Sequence, residues 1–522
     1  MKLGRSRWCV MVILLVALAA GVGTTVLAQP ASTLVVGLVA EPVGLDPAQV
    51  TDLNSNRVGR RVVETLVAFA DESTQIVPGL AESWTISKDG LAYTFKLRRG
   101  ITFHDGTPFN ARAVAFSIER QIVPDHPAHK LGKYPFAAYF FGNVKAVEAM
   151  DEGTVRFVLK EPRASFLAIL TAGAASIVSP TAAMKAGQDY TASPVGTGPF
   201  RFVAWDRGQR VVLEKNPAYW RHPVQVDRVI YRPITEDQAR LTELLTGGLD
   251  LIVGTPPDFV AQLENHPKVT LQKQVGAHVW YLGFNNTKKP FDDKRVRQAL
   301  NYAVNKEAIV RDVLKGTGAV SKGPVLPGTW GDEARLKPFP YDPERARKLL
   351  AEAGLAAGFS TTLWVPESGS GMQSPVAMST IIQSNLKAVG VNVTLQTMEW
   401  GTFLAKLRTK EQDMFALSWM AGSEDPDLVM YPLLHSSQWT PVGPNRALYK
   451  NPRFDELLGQ ARLVTDQGKR AELYREAQRL LHDDPPWIFI DHEVQTAAFS
   501  KRVQGFKLHP SFDLRVETIS LK

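Results

Sequence analysis

The chain has 522 residues, 44% hydrophobic and 21% charged, with 60 Lys and Arg against 52 Asp and Glu and one cysteine. This length exceeds the ~250–300 residues at which a single core stops growing, so two or three domains are expected. The net charge of +8 is dispersed among interleaved acids and bases, with no basic stripe carrying aromatics, so nucleic acid is not an expected partner.

At the N-terminus Lys2, Arg5 and Arg7 precede an uncharged apolar run over 10–20 and a small-residue stretch ending in Val26, Leu27 and Ala28. This is the pattern of a signal peptide, with cleavage expected after Ala28. A membrane anchor is the competing reading, but Gly21 and Gly23 interrupt the run and no stop-transfer charge accompanies Gln29, Pro30 and Ala31. Cys9 lies before the apolar run, so it cannot be the lipid-modified residue of a cleavage site. The expected mature product has 494 residues, a charge of +5 once those three cations are removed, and no thiol. It is expected in the periplasm, free of lipid, and no later segment is long and apolar enough to span a bilayer.

Next, 33–38 reads as a buried strand, followed by a loop with Glu41, Pro42, Gly44, Asp46 and Pro47 and a helix over roughly 55–68. Lys88, Asp89 and Gly90 form a turn between Trp84/Ile86 and the alternating Tyr93, Phe95 and Leu97, which predicts a hairpin. Val155, Phe157 and Leu159 follow Glu152 and Gly153 as a further alternating strand, so 74–195 reads as a separate α+β insertion. After the glycine-rich 196–200, the α/β pattern resumes with strand 226–231, a helix near 236–246 and strand 249–253.

A second α/β unit begins beyond Trp280. Asp292 or Asp293 caps a helix with the apolar face Val296, Leu300, Ala303 and Val304, and Asp342 caps another that has Pro343 at its first position and ends at Gly354. Strand 361–365, a helix over 377–389 stopped by Gly390, and strand 391–395 follow.

Enzyme signatures fail when checked residue by residue. His492-Glu493 resembles a zinc-protease start, but Thr496 stands where the second histidine belongs. Gly369, Ser370 and Gly371 do not make a nucleophile elbow, and the glycines of 316–323 lack phosphate-loop spacing. His126 and His129 read as loop residues, and no metal or cofactor is expected. Trp400, at a strand-to-helix turn, and Trp419, just after a strand over 414–418, occupy the kind of strand end where α/β ligands sit, although core packing accounts for either alone.

Ala81-Glu82-Ser83-Trp84, then Tyr93-Thr94-Phe95-Lys96-Leu97-Arg98 and Phe103-His104-Asp105-Gly106-Thr107-Pro108-Phe109 resemble the signature of the dipeptide/oligopeptide/nickel-binding family (family 5) of ABC-transporter solute-binding proteins. The resemblance continues through Gly196-Thr197-Gly198-Pro199-Phe200, Pro290-Phe291-Asp292-Asp293 with Arg295-Val296-Arg297-Gln298-Ala299-Leu300, and Asp425-Pro426-Asp427. It implies an α/β, two-lobed periplasmic-binding-protein (flytrap) fold with an extra α+β domain inserted in the first lobe. The expected division is signal peptide 1–28, first lobe 29–73, insertion 74–195, first lobe again 196–277, second lobe 278–491 and a first-lobe return at 492–522.

By the same resemblance the ligand-binding residues are Asn54, Ser55 and Asn56 after Leu45-Asp46-Pro47, Phe136, Trp400 and Trp419. Peptide-binding relatives place an aspartate three residues after the second tryptophan to pair the ligand amine, and here that position is Gly422, leaving Glu424 or Asp425 as substitutes. The stretch from Pro485-Pro486-Trp487 to His509-Pro510 is most similar to glutathione-type members. The implied function is capture of a short peptide or glutathione-like ligand for an ABC importer. The partners would be that ligand and the membrane permease subunits, and the protein itself a monomer. A metal chelate, an oligosaccharide or an opine-like solute is the alternative ligand, and a secreted hydrolase the remote alternative from another class.

Overall fold

The computed structural model describes residues 32–369 and 371–522. The expected signal peptide and its cleavage site lie outside the described residues, as does Ser370. Among the described residues no helix is long and apolar enough to cross a membrane.

One continuous sheet runs through two halves that share the strand Trp487–Ser500. In the first half Thr33–Leu38 lies parallel to both Arg228–Pro233 and Leu251–Val253, and Arg210–Lys215 and Phe200–Asp206 extend the edge antiparallel. In the second half Phe359–Pro366 pairs parallel with Val391–Met398 and Met414–Met420, and the latter pairs antiparallel with His278–Phe284. Leu251–Val253 and His278–Phe284 are buried throughout and read as apolar runs, as strands covered on both faces do, whereas Val391–Met398 alternates near the sheet edge.

The long strand joins the halves. Its start, through Asp491, pairs with His278–Phe284, and its end, from Val494, pairs with Val269–Val275. The chain thus crosses between halves twice, at Gly276-Ala277 and near His492-Glu493. A two-lobed molecule hinged on two adjacent strands follows from this register.

A separate four-stranded antiparallel sheet, Ala81–Ile86, Ala92–Leu97, Thr154–Leu159 and Val144–Asp151 in spatial order, forms the α+β insertion with the helix Ala111–Ile122. Its hairpin register pairs Trp84 with Phe95 and Ile86 with Tyr93, with Gly90 at φ +69° in the turn. The insertion's core includes Leu428 from the second half, so it packs across to the far side of the cleft.

Several elements end elsewhere than the sequence suggests. The helix expected over 55–68 is Leu53–Gly59, and 67–69 instead pair as a strand with 76–78. Gly59 packs against the Leu45 carbonyl oxygen, where an added Cβ would come within 2.4 Å, and the β-branched Val62 and Val63 favour the extended chain beyond it. Asp293, not Asp292, is the cap of the helix Lys294–Ala303, accepting from the Arg295 amide. Asp342 caps Pro343–Glu352 as expected. Trp419 lies inside the strand Met414–Met420 and not beyond it.

Candidate ligand-binding cleft

The cleft floor is built from the two crossings. His278, beside the first, is buried at 4% exposure; its Nδ1 accepts from the Glu493 amide at 3.0 Å and its Nε2 donates to the Gly371 carbonyl oxygen at 2.8 Å. Those two bonds fix the tautomer with the proton on Nε2. Burial depresses this imidazole from 6.5 to about 4, so it is neutral at physiological pH. His492 is buried on the same floor, its Nδ1 bonded to the His278 carbonyl oxygen, and burial likewise brings it to about 4. The His492-Glu493 pair therefore belongs to a hinge strand. His126 accepts from the loop amide of Ala128, and His129 bonds the carbonyl oxygen of Arg120 in the helix Ala111–Ile122.

Trp419 and Glu424 line a small cavity with Ala277, His278, Leu326 and Val429. The Trp419 indole donates to the Leu428 carbonyl oxygen at 2.9 Å, and its ring meets Tyr139 of the insertion edge-on at 6.3 Å. Tyr139 in turn packs on Phe140, and Phe140 on Phe136, so Phe136 and Trp419 end one chain of aromatic contacts running from insertion to second lobe. Trp400 opens the helix Trp400–Lys406, stacks on Phe403 and lies against Gly369, where a Cβ would meet its ring at 2.6 Å.

Gly422 adopts φ +65°, and a Cβ there would meet nothing within 4 Å. A side chain at 422 would be strained by its backbone but would find open space. Two residues on, Glu424 is half-buried and makes no hydrogen bond or ion pair among the described residues. Asp425 is differently committed: both its carboxylate oxygens accept from Arg470, at 2.8 and 2.9 Å, within the fold. Asp427 is fully enclosed too, accepting from Ser165 Oγ at 2.5 Å, with Arg163 at 3.7 Å and Arg462 at 3.5 Å.

On the first-lobe side, Asp52 caps the helix Leu53–Gly59 through the Ser55 amide. The Ser55 hydroxyl is enclosed and accepts from the Val43 amide at 2.8 Å. Asn56 donates to the Asp52 carbonyl oxygen and its amide oxygen packs on Gly173. Asn54 Oδ1 is buried without a partner among the described residues. The loop residues expected as one group thus divide into two that shape the loop and one, Asn54, with unused hydrogen-bonding capacity. Tyr139 and His278 were not singled out by the sequence, because neither lies in a motif and only the fold brings them to the cleft.

Two lobes joined by two adjacent strands, with polar and aromatic side chains gathered on the hinge floor, define a binding protein of the flytrap class. Residues 75–441 match the model of bacterial extracellular solute-binding proteins, family 5. The chain is 38% identical over 497 residues to heme-binding protein A of Haemophilus influenzae, covering 92% of this chain and 90% of that protein. It is 35% identical to the glutathione-binding protein GsiB of Pectobacterium atrosepticum, covering 94% and 95%. The periplasmic binding protein DppA of Helicobacter pylori, solved with the peptide STSA, superposes with a TM-score of 0.82 at 32% identity over 94% of this chain and 98% of that one. The chain belongs to family 5 of the bacterial extracellular solute-binding proteins.

Proposed function

We propose that this protein is the extracytoplasmic solute-binding component of an ABC importer and captures a peptide-like ligand, a short peptide or a glutathione-like solute, between its lobes. The observation that carries this reading is the second-lobe loop after Trp419: Gly422 opens space beside an aromatic wall, and Glu424 stands there as a carboxylate without a partner. Such a group is positioned to pair a ligand amine once closure removes water, the condition under which a charge pair gains most. Trp400, Trp419 and Phe136 supply the apolar contact, and Asn54 a free carbonyl oxygen for ligand N–H groups. Ser55, Asn56 and Asp425 hold the loops that present them. The names of the relatives, which span dipeptides, glutathione and heme, support the class of the ligand more than its identity.

The reading includes export with cleavage after Ala28, a free periplasmic monomer, delivery to membrane permease subunits, and no catalysis. It also places the lobe boundaries at 73/74, 195/196, 277/278 and 491/492, the last two coinciding with the strand crossings. Calorimetric titration with di- and tripeptides and glutathione, each free and N-acetylated, tests it. Binding of free peptides that is weakened by acetylation, with the ligand recovered unchanged, is the expected result. Absence of binding by every peptide, in a protein that binds a metal chelate, an oligosaccharide or an opine-like solute, would overturn it.

A further inference from the structure

Arg57 lies in the last turn of the helix Leu53–Gly59, one position after Asn56, and only 8% of it is exposed. Its guanidinium makes no hydrogen bond, ion pair or ring contact among the described residues, and its Nε is enclosed without an acceptor. A guanidinium nitrogen withdrawn from water in this way is costly unless an acceptor is supplied. Burial brings its pKa down to about 10, which still leaves it charged.

The surroundings locate it on the hinge floor. The strongest attraction on Arg57 comes from Glu493 of the second crossing, followed by Asp513 and Asp52. Neither Glu493 nor the others come within ion-pair distance. Asp513 is already taken by Arg61 at 2.6 Å, and Asp52 gives one oxygen to the Ser55 amide while the other is enclosed without a hydrogen-bond partner among the described residues. Glu493 is hydrogen-bonded by Gln373 of the second lobe, and burial raises its carboxyl above the usual range, with that bond and Arg57 opposing the shift. Its backbone amide is the donor to His278 Nδ1, and His278 also lines the cavity of Trp419 and Glu424. An unpaired cation, Arg57, thus lies on the first-lobe side within electrostatic reach of the second crossing, and an unpaired carboxylate, Glu424, lies on the second-lobe side in one cavity with His278.

We propose that Arg57 anchors an acidic group of the ligand, a carboxylate whose two oxygens match the fork of the guanidinium, so that the ligand lies with its amine toward Glu424 and its acid toward the helix Leu53–Gly59. This rests on the binding reading above and deepens it: the cleft selects a solute bearing a carboxylate at one end. A planar, always-charged guanidinium suits this better than an ammonium.

The test is calorimetry of the whole mature protein, wild type, Arg57→Gln and Arg57→Lys. The probes are glutathione, a tripeptide as free acid, the same tripeptide as its C-terminal amide, and a panel of non-peptide carboxylates that includes sugar–amino-acid conjugates. The wild type should prefer the free acid over the amide at least tenfold. Arg57→Gln should lose that preference by weakening the acid while leaving the amide unchanged, and Arg57→Lys should retain part of it. Equal affinity of the wild type for acid and amide, or equal weakening of both by Arg57→Gln in a variant that unfolds like the wild type, would show a structural role only and overturn the proposal. If Arg57→Gln does not fold, the acid-to-amide ratio in the wild type and in Arg57→Lys decides alone. Binding of a non-peptide carboxylate that depends on Arg57 would sink the peptide reading and leave this proposal standing. Failure of every carboxylate to bind would sink this one.

Discussion

Trp419 is half-buried with its indole nitrogen already bonded to the Leu428 carbonyl oxygen, so what it offers a ligand is its ring face and edge. Trp419→Ala should weaken ligand binding by roughly 1–3 kcal/mol, about 5- to 150-fold, as loss of a large apolar contact does. Titration of the folded variant checks this, and an unchanged affinity would place the residue in ordinary packing. The acidic loop separates two roles that the sequence left open. Glu424→Gln should weaken ligands with a free amine at least tenfold while leaving unfolding unchanged, because the side chain has no internal partner. Asp425→Asn should instead destabilise the protein by about 3–5 kcal/mol, read by denaturant unfolding, since it leaves Arg470 buried with half its partner removed. Burial works against the charge of Arg470, and Asp425 is what holds its pKa above the ordinary range. At this scale the sequence exposed residue types and motifs, and the loop after Trp419 was readable as acidic. Which acid was free was not readable, because that depends on Arg470, 45 residues away in sequence.

Buried histidines, two on the hinge and His104 in the insertion, carry a pH dependence. His278, His492 and His104 are all buried and brought from 6.5 to about 4 by burial. The folded state resists protonation while the unfolded chain accepts it. Their stabilisation is complete above about pH 6.5 and is lost as pH falls from there toward 4. Asp491 and Glu493, both raised by burial, titrate with the opposite sign and cost stability as pH rises. A single histidine is therefore best read by difference. His278→Gln, whose amide retains a donor for the Gly371 carbonyl oxygen, should lose about 2–3 kcal/mol less than the wild type between pH 7 and pH 4.5. Denaturant unfolding at the two pH values measures it, and parallel losses would contradict the assignment.

Helix and strand identities were legible wherever caps and periodicity agreed, as at Asp342-Pro343 and in the Trp84/Phe95 hairpin. The segment after Gly59 was misread because its apolar residues, Val62, Val63, Leu66 and Val67, fit a helical stripe equally well. The close approach of Gly59 to the Leu45 carbonyl oxygen, which ends the helix, is a tertiary fact. The division of the hinge strand between halves rested on family resemblance alone, because a 14-residue strand that changes partners midway has no local signature.

For the molecule as a whole, the insertion grips the second lobe through Ser165 and Arg163 on Asp427 and through Tyr139 beside Trp419, contacts that join three parts of the chain across the cleft. Export predicts a mature product beginning near Gln29 with no cysteine, and its intact mass should match 494 residues without lipid; a mass retaining Cys9 would contradict the periplasmic account. That an antiparallel α+β unit interrupts the α/β pattern was legible from the alternating strands around Trp84, Phe95 and Phe157. The cleft was not, since it exists only where distant segments meet.

The central claim is that the lobes close on a peptide-like solute carrying an amine and a carboxylate. Mass spectrometry of small molecules released by denaturing the protein purified from its periplasm tests this most directly. The account predicts a short peptide or glutathione-like solute with both a free amine and an acid; recovery of a neutral oligosaccharide, a metal chelate or another solute without a peptide bond would contradict it.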